Sequence, residues 1–598
     1  MNRPALRRAR DSGSARTWGL LGTAAALGAC SLILYWRGGY SRSMLVLWLA
    51  AIVGLAAVFW TWNRALPRIA SKDLLVASGV VLGFAPLYVG ALYRWPVQVS
   101  SDEEQIVTAA RNAANAQGLD PLGLSTYLNR PALLLIGWGK LGDLLGGFDL
   151  FHMRLLHALF GLLTIAAAYA LFRQLLPRWW AVFASCVLGV SHSFLMISRL
   201  AMRENTAVLA EVLALALLLW GFRRTHPLAT FLGGVVAGLG FYVYYPARAT
   251  LAIWIVFLAA LGLIGRRQLP LRRILTAGAI AVAGFVLVAT PITIAESHIP
   301  RPGVPSDFDP QHSTYLIYPE ARERERQWVG ASSVAEGVKT NIRWGLGAFN
   351  NTVTDNGNIY VNRGHGFVDP LTGILLWLGI GLVAVRLVRR ELDEGALLAT
   401  VGFVSLWLAS AFLVNKAPNY TRLLVSLPFA AYFVTVAVRW LAGRWRSLRA
   451  GPALAMGGFL VALVAWNLAI AWDYIDAGRR TGDPIGSTGR YVAAHDHIPD
   501  QKFFLATTEN GDFDYYYYLA ASAGVSRLQF FAADDTKVRG VVDPQQLPSF
   551  SASPPFALFT RRDAWERFAA PLAEKYPRGR IRNVTPRGDL VVFEVPKG

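Results

Sequence analysis

The chain has 598 residues, of which 54% are apolar and only 16% charged, with 20 Trp, 31 Phe and 21 Tyr; soluble domains carry about 25% charged residues, so a water-soluble fold is excluded for most of the length. The net charge of +20 does not mark a nucleic-acid binder, because the Arg residues fall in short clusters between apolar runs and not on one face or in one domain. The two Cys, Cys30 and Cys186, both lie inside apolar runs and allow neither a disulfide framework nor a zinc site.

Taken in chain order, apolar runs predict helices across a membrane at 18–36, 44–62, 73–92, 153–175, 180–197, 204–222, 228–246, 248–265, 274–295, 371–388, 396–414, 421–441 and 453–472. That is about thirteen spans, most of them near the roughly 20 residues a helix needs to cross a bilayer. Residues 27–30 follow a basic tail and resemble a lipoprotein cleavage box, but the apolar run continues to Trp36, so the first helix is expected to stay uncleaved. The stretch 131–146 is apolar but short and carries Lys140 and Asp143, which predicts a helix at the membrane interface and not a span. After Trp472 the pattern changes: short β-like runs at 503–506, 528–531, 556–559 and 590–595 alternate with helical stretches such as 562–575. The expected fold class is therefore an all-α polytopic membrane protein with a small C-terminal α/β domain. Its expected parts are a basic tail with two additional helices (1–72), a transmembrane module with outer loops 93–152 and 296–370 (73–472), and an outer domain (473–598).

Orientation follows from Lys and Arg. The N-terminal tail and the alternate connections hold clusters: Arg64, Arg68 and Lys72; Arg173 and Arg178; Arg223 and Arg224; Arg266, Arg267, Arg272 and Arg273; Arg386, Arg389 and Arg390; Arg439, Arg444, Arg446 and Arg449. The short connections of the other side hold only isolated cations: Arg37, Arg42, Arg199, Arg203, Arg248, Lys416 and Arg422. The clustered side is the cytoplasmic one. This predicts a multi-pass protein of the plasma or inner membrane, with its N-terminus in the cytoplasm and the large loops and C-terminal domain outside.

The outer loops carry the candidate chemistry. The first opens on Ser101-Asp102-Glu103-Glu104, followed by apolar residues at helical spacing. Ser101 and Glu104 form a capping-box pattern, which accounts for Glu104 but less well for Asp102. The second feature is the very short turn Ser198-Arg199-Leu200-Ala201-Met202-Arg203-Glu204-Asn205, with Glu211 deeper on the same helical face. Charges at the bilayer edge are costly unless paired or used; an Arg203–Glu204 ion pair with interfacial anchoring is the plain structural alternative. Arg248, Lys416 and Arg422 are isolated outer cations, suited to phosphate or equally to snorkelling toward lipid headgroups. His152 and His192 read as packed interfacial residues. The loop 296–370 is long for a connection and reads as a cover, with residues 331–349 amphipathic through Val334, Val338, Ile342 and Phe349.

An acidic pair after an early span, then interfacial helices, then His152-Met153-Arg154-Leu155-Leu156-His157 leading to Phe160-Gly161-Leu162, and a further acidic residue at the next outer turn, together resemble the GT-C glycosyltransferases. The similarity is to the branch of protein O-mannosyltransferase-like enzymes and lipid A aminoarabinose transferases, over roughly 73–472; Asp369-Pro370-Leu371-Thr372-Gly373 and 420–428 fit the same pattern. The resemblance implies a membrane glycosyltransferase acting at an outward site, with a polyprenyl-phosphate-linked sugar as donor and an acceptor hydroxyl on lipid, glycan or protein. By position it implies Asp102 as base, Glu103 as its acidic neighbour and Glu204 as the second acidic residue, with Arg203, Arg248, Lys416 and Arg422 as donor-phosphate candidates. Departures are the two preceding spans and the acidic triplet, which leaves Glu103 open for the role of Asp102; no inserted β-trefoil domain is visible.

A nucleotide sugar is not available outside the cell, which agrees with the lack of a Gly-rich nucleotide loop. One-step displacement at the anomeric carbon inverts it. No cofactor is expected, although Asp102 and Glu204 could instead hold Mg²⁺ or Mn²⁺. The rival readings are a transporter or flippase of envelope precursors, with Glu204, Glu211 and the Arg residues lining a path, and a non-catalytic envelope scaffold.

Overall fold

The computed structural model describes residues 3–62, 70–97, 99, 101–125, 130–264, 270–297, 315–350, 365–389, 393–444, 451–481, 484–506, 537–542, 544–568 and 570–597. Two helices, α1 (Arg3–Gly38) and α2 (Arg42–Trp62), precede α3 (Ser71–Val89). The loop between α3 and α6, termed the first outer loop after its expected side, holds α4 (Ser101–Asn115) and α5 (Ala132–Leu145). There follow α6 (Leu150–Leu175), α7 (Arg178–Val190), α8 (His192–Ser198), α9 (Glu204–Arg224), α10 (Pro227–Leu239), α11 (Thr250–Ile264) and α12 (Leu271–Ser297). The second outer loop carries α13 (Pro319–Trp328) and α14 (Val334–Gly347). After them come α15 (Pro370–Val388), α16 (Glu394–Leu408), the one-turn α17 (Tyr420–Leu423), α18 (Leu427–Arg444) and α19 (Gly451–Thr481).

Each predicted span coincides with helix. Among the described residues, 11 helices are long and apolar enough to cross a membrane, or 12 if the bent pair α7–α8 is one span. The segment expected at 228–246 is the shorter apolar helix Pro227–Tyr242. The chain is thus an all-α polytopic membrane protein, and the short stretch at 131–146 is the separate helix α5. Several helices begin where their caps say they should. Asp149, Ser333, Asp369 and Asp393 each accept a first-turn N–H, starting α6, α14, α15 and α16, and so satisfy donors a helix start leaves unpaired.

The span expected at 180–197 is not straight. It breaks at Ser191, and α8 departs from α7 by 63°. The His192 N–H that opens α8 donates to Asn467 Oδ1 of α19 at 2.9 Å. The Asn467 amide donates in turn to Asp369 Oδ2 at 2.7 Å. One buried Asn thereby serves the starts of both α8 and α15. The break brings α8 to Ser198, where the second outer turn begins.

Helices α1 and α2 dock on α10 and α12. Trp48 Nε1 donates to the Leu287 carbonyl at 2.8 Å, and Phe59 lies against Phe231 with ring centroids 5.2 Å apart. Their cluster includes Leu122 of the first outer loop. The larger core joins α3, α6 to α9, α11, α15, α16, α18 and α19.

The C-terminal region is a sheet of β1 (Lys502–Ala506), β2 (Val538–Val542), β3 (Phe556–Arg561), β4 (Arg580–Asn583) and β5 (Leu590–Val595), in the order β2-β1-β3-β5-β4. Strand β1 is parallel to β2 and β3, and β5 is antiparallel to β3 and β4. One face, with Phe503, Leu505, Phe559 and Val592, packs on Val492 of α20 (Pro484–His495). The other, with Phe556, Leu558 and Phe593, packs on Leu572, which lies in α22 (Ala570–Lys575), just after α21 (Arg562–Phe568). The predicted runs at 503–506, 556–559 and 590–595 are β1, β3 and β5; the run at 528–531 lies outside the described residues. Strand β4 carries Arg580, Ile581, Arg582 and Asn583, all exposed, so no apolar alternation marks it in the sequence.

Candidate active site

The acidic run stands in the first turn of α4. Glu103 is fully buried and forms a two-point ion pair with Arg154 of α6, Nε to Oε1 at 2.7 Å and Nη2 to Oε2 at 3.0 Å. Arg154 Nη1 also donates to the carbonyls of Leu92 at 3.0 Å and Pro96 at 2.7 Å. Glu103 Oε1 accepts a further bond, from the Ala201 N–H at 2.8 Å. Ala201 belongs to the second outer turn, so a single carboxylate joins α4, α6 and the turn that ends in Glu204. The backbone of Asp102 is helical; the side chains of Ser101, Asp102 and Glu104, and with them the capping box, lie outside the described residues. Glu204 is the first residue of α9 and is 5% exposed.

Three of the four candidate cations are linked through Tyr244, Tyr245 and Glu325. The Arg203 guanidinium lies over the Tyr244 ring, 5.1 Å from its centroid. Tyr244 and Tyr245 pack with centroids 4.6 Å apart, and the Tyr244 hydroxyl is 3.2 Å from that of Thr421. Arg422 lies over Tyr245 at 5.8 Å, with Nη1 donating to the Asn415 carbonyl at 2.5 Å. Lys416 Nζ sits 4.2 Å from the Trp328 ring centroid of α13. Arg248 stands apart, its guanidinium engaged by both oxygens of Glu296 at the end of α12 and set over Phe241. The tyrosine pair, Thr421 and Glu325 are what the geometry adds to the sequence reading; the visible signal was the Tyr244-Tyr245-Pro246 turn. Glu211 is 1% exposed, and neither of its oxygens has a hydrogen-bond partner among the described residues. His192 is buried and His152 pairs with Asp149 at 2.6 Å. No group of three or more His, Cys, Asp or Glu is disposed to hold a metal ion among the described residues.

The second outer loop is fastened over this region. Asn341 of α14 donates to the carbonyls of Ala411 at 3.1 Å and Val414 at 2.9 Å, and its Oδ1 accepts from the Ala417 N–H at 2.7 Å. Glu325 Oε2 of α13 accepts from the Lys416 N–H at 2.7 Å; Lys416 has φ +57°, so its backbone needs such support. Helices α13 and α14 are thus pinned to the same 411–417 connection that carries Lys416.

Burial pushes the Glu325 carboxyl above its ordinary range, against the lowering effects of the Lys416 N–H and the charges of Arg422 and Lys416. A carboxyl whose folded pKa is raised contributes stability at low pH that is lost as pH rises through that pKa. Glu325→Gln keeps an oxygen for the Lys416 N–H and removes the titration. The thermal midpoint of the wild type, minus that of Glu325→Gln, should therefore fall as pH is raised from about 4, the ordinary Glu range. A difference that stays flat with pH would show that Glu325 is not held protonated by its surroundings.

A bundle of apolar helices thus carries a loop with an acidic run tied to the turn before α9, and nearby cations set against tyrosines. Residues 135–292 match the family described as dolichyl-phosphate-mannose-protein mannosyltransferase. The fold is similar to the oligosaccharyltransferase of Archaeoglobus fulgidus with a tethered acceptor peptide (12% identity, 85% of this chain and 72% of that one, TM-score 0.48). It is also similar to ArnT from Cupriavidus metallidurans bound to undecaprenyl phosphate (15% identity, 88% and 98%, TM-score 0.46). A third likeness is the S. cerevisiae protein O-mannosyltransferase Pmt1-Pmt2 complex bound to the sugar donor (17% identity, 42% and 34%, TM-score 0.31). No curated protein matches the sequence. The mannosyltransferase family match lies in the helices from α5 to α12.

Proposed function

We propose that this chain transfers a sugar from a polyprenyl-phosphate-linked donor to an acceptor hydroxyl on the side of the membrane away from the cytoplasm, in one inverting step within the module 73–472. The observation that carries the reading is the junction at Glu103. It ties the first turn of α4, whose backbone includes Asp102, to the turn that supplies Arg203 and Glu204. The matched family's description, a dolichyl-phosphate-mannose enzyme, supports a lipid phosphate as the leaving group.

The chemistry then follows from the groups at hand. The acceptor oxygen forms a bond to the anomeric carbon as the bond from that carbon to the donor phosphate oxygen breaks, with inversion. The acceptor proton passes to the Asp102 carboxylate, which serves as general base. The bonding pair leaves with the polyprenyl phosphate, whose added charge is stabilised by Arg203, Arg422 and Lys416. Tyr244 and Tyr245 hold two of these guanidiniums in place before donor arrives, so little reorganisation is needed. Glu204 orients the sugar or its phosphate neighbours. Arg248, already paired with Glu296, holds the start of α11 against α12.

The direct test is transfer of a radiolabelled sugar from polyprenyl phosphate by the purified protein in liposomes. Asp102→Asn should lower turnover by roughly 10²- to 10⁴-fold with donor binding retained, since that is what general-base catalysis contributes. Full transfer by Asp102→Asn alongside inactive Glu103→Gln would move the base by one residue. Movement of the lipid-linked sugar across the bilayer without transfer would support a flippase instead.

The cations are expected to separate. Arg422→Gln should weaken donor handling by roughly tenfold to a hundredfold, the worth of a charge-assisted hydrogen bond of about 1.5–3 kcal/mol. Arg248→Gln should cost thermal stability first and leave the donor Michaelis constant nearly unchanged. Equal kinetic effects from both would dissolve the distinction drawn from Glu296.

The side of the membrane is tested separately. A reporter that works only outside the cytoplasm should be active when fused after Gly598 and inactive when inserted near Arg267. The reverse pattern would place the site on the cytoplasmic face.

A further inference from the structure

Arg199 is a buried cation with an unusual set of partners. It is 5% exposed, and no carboxylate lies within ion-pair distance of it among the described residues. Its Nη1 donates to the carbonyls of Leu87 and, at 3.2 Å, Tyr88; its Nη2 donates to those of Gly90 at 2.7 Å and Trp95 at 2.9 Å. All four carbonyls come from the end of α3 and the irregular stretch that leads to α4.

A helix end needs nothing so costly. The last carbonyls of α3 carry the negative end of the helix dipole, which attracts a cation. The Gly90 N–H already closes the helix onto the Pro86 carbonyl at 2.9 Å. Burying a guanidinium without a counter-ion is expensive unless its donors are well used. Here they reach past the helix end to Trp95, which lies beyond the left-handed residue Ala91 (φ 54°). The guanidinium therefore spans the connection and does not merely cap the helix.

The second outer turn is then attached to the first outer loop at two points. One is the Arg199 side chain on 87–95; the other is the Ala201 N–H on Glu103. Arg154 braces the same stretch from α6 through Leu92 and Pro96. Two attachments fix both the distance and the angle of the turn, where one would leave it free to pivot about Glu103.

We infer that Arg199 is a positioning residue for sugar transfer: its fan of carbonyl bonds locks the turn bearing Arg203 and Glu204 in register with the acidic run at Asp102. The inference rests on the glycosyltransferase reading above. Arg199 touches neither donor nor acceptor in this role, and its effect is on the alignment of base and leaving group.

Arg199→Lys tests it in the full-length protein reconstituted in nanodiscs. Lysine keeps the charge but not the planar fork that serves four carbonyls. Turnover should fall roughly 10- to 100-fold, as misplacement of reacting groups by about 1 Å does, while the affinity for polyprenyl phosphate and the thermal midpoint change little. Amide hydrogen exchange at Ala201 should become faster in the variant. Unchanged turnover per folded protein overturns the inference, as does a parallel loss of stability and turnover with Ala201 exchange unaltered. If Arg199→Lys does not fold, Arg199→Gln takes its place with the same readouts. Ala201 exchange in the wild type as fast as in an unstructured peptide overturns it in any case. A wild type that makes no product sinks the glycosyltransferase reading alone, because the exchange comparison still reports whether Arg199 holds the turn.

Discussion

The junction between α4, α6 and the turn after α8 depends on one buried ion pair. Glu103 and Arg154 are both fully shielded from solvent, and taking two charges out of water is expensive. What makes the pair tenable is that the remaining hydrogen-bonding capacity is used. Arg154 gives its other donors to two carbonyls, and Glu103 accepts the Ala201 N–H. Losing either partner strands a charge, a change that costs about 3–5 kcal/mol in buried pairs. The pair is therefore better understood as a geometric device than as a source of stability. It ties together residues 92 and 96, the first turn of α4, the N-terminal part of α6 and the turn after α8.

That junction determines what the rest of the site can be. Its turn places Arg203 against Tyr244, and the tyrosine pair continues the surface to Thr421 and Arg422. The route by which α8 reaches the turn depends on the break at Ser191, which Asn467 makes tolerable by accepting the orphaned His192 N–H. Within a bilayer an unpaired backbone group has no water to turn to, so a broken helix needs such a partner. Asn467 also holds Asp369 at the start of α15. A single amide in the last membrane helix thus links the helix that delivers the second outer turn to the helix that follows the second outer loop.

Much of this was legible in the sequence because a membrane imposes length and apolarity on each span. The spans from α1 to α19 stand where the apolar runs are. The break at Ser191 was not visible, because the residue that permits it, Asn467, is remote in the chain and polar in an otherwise ordinary apolar run. Pattern alone could not divide the members of the acidic run. Glu103 packs inward, and its partner Arg154 was apparent only as part of a family pattern. The isolated cations looked equivalent in sequence. Arg248 differs from Arg422 because Glu296, at the far end of α12, folds back to it, and no local pattern announces such a meeting. Strand β4 went unread for the opposite reason: an exposed edge with Arg580 and Arg582 has no buried face to leave a mark.

The first outer loop is held at its far end too, and by helices that the family pattern does not require. Tyr35, near the outer end of α1, donates to Asp120 Oδ2 at 2.6 Å, while Asp120 Oδ1 accepts the Leu122 N–H at 2.9 Å. Leu122 is 1% exposed and packs with Tyr35, Tyr242 and Ile292. So α1 and α2 are built into the loop and not merely added before it: their seat on α10 and α12 supplies the wall against which 120–124 closes. Between these two anchors, α4 and α5 pack tightly enough that a Cβ at Gly139 would fall 2.4 Å from the Ala110 carbonyl oxygen. A loop fixed at the acidic run by Arg154 and at the other end by Tyr35, with close-packed helices between, has little freedom to move Asp102 alone. On the proposed function, an opening for a lipid-borne donor then falls to the other side, where Asn341 and Glu325 meet the 411–417 connection through side-chain hydrogen bonds.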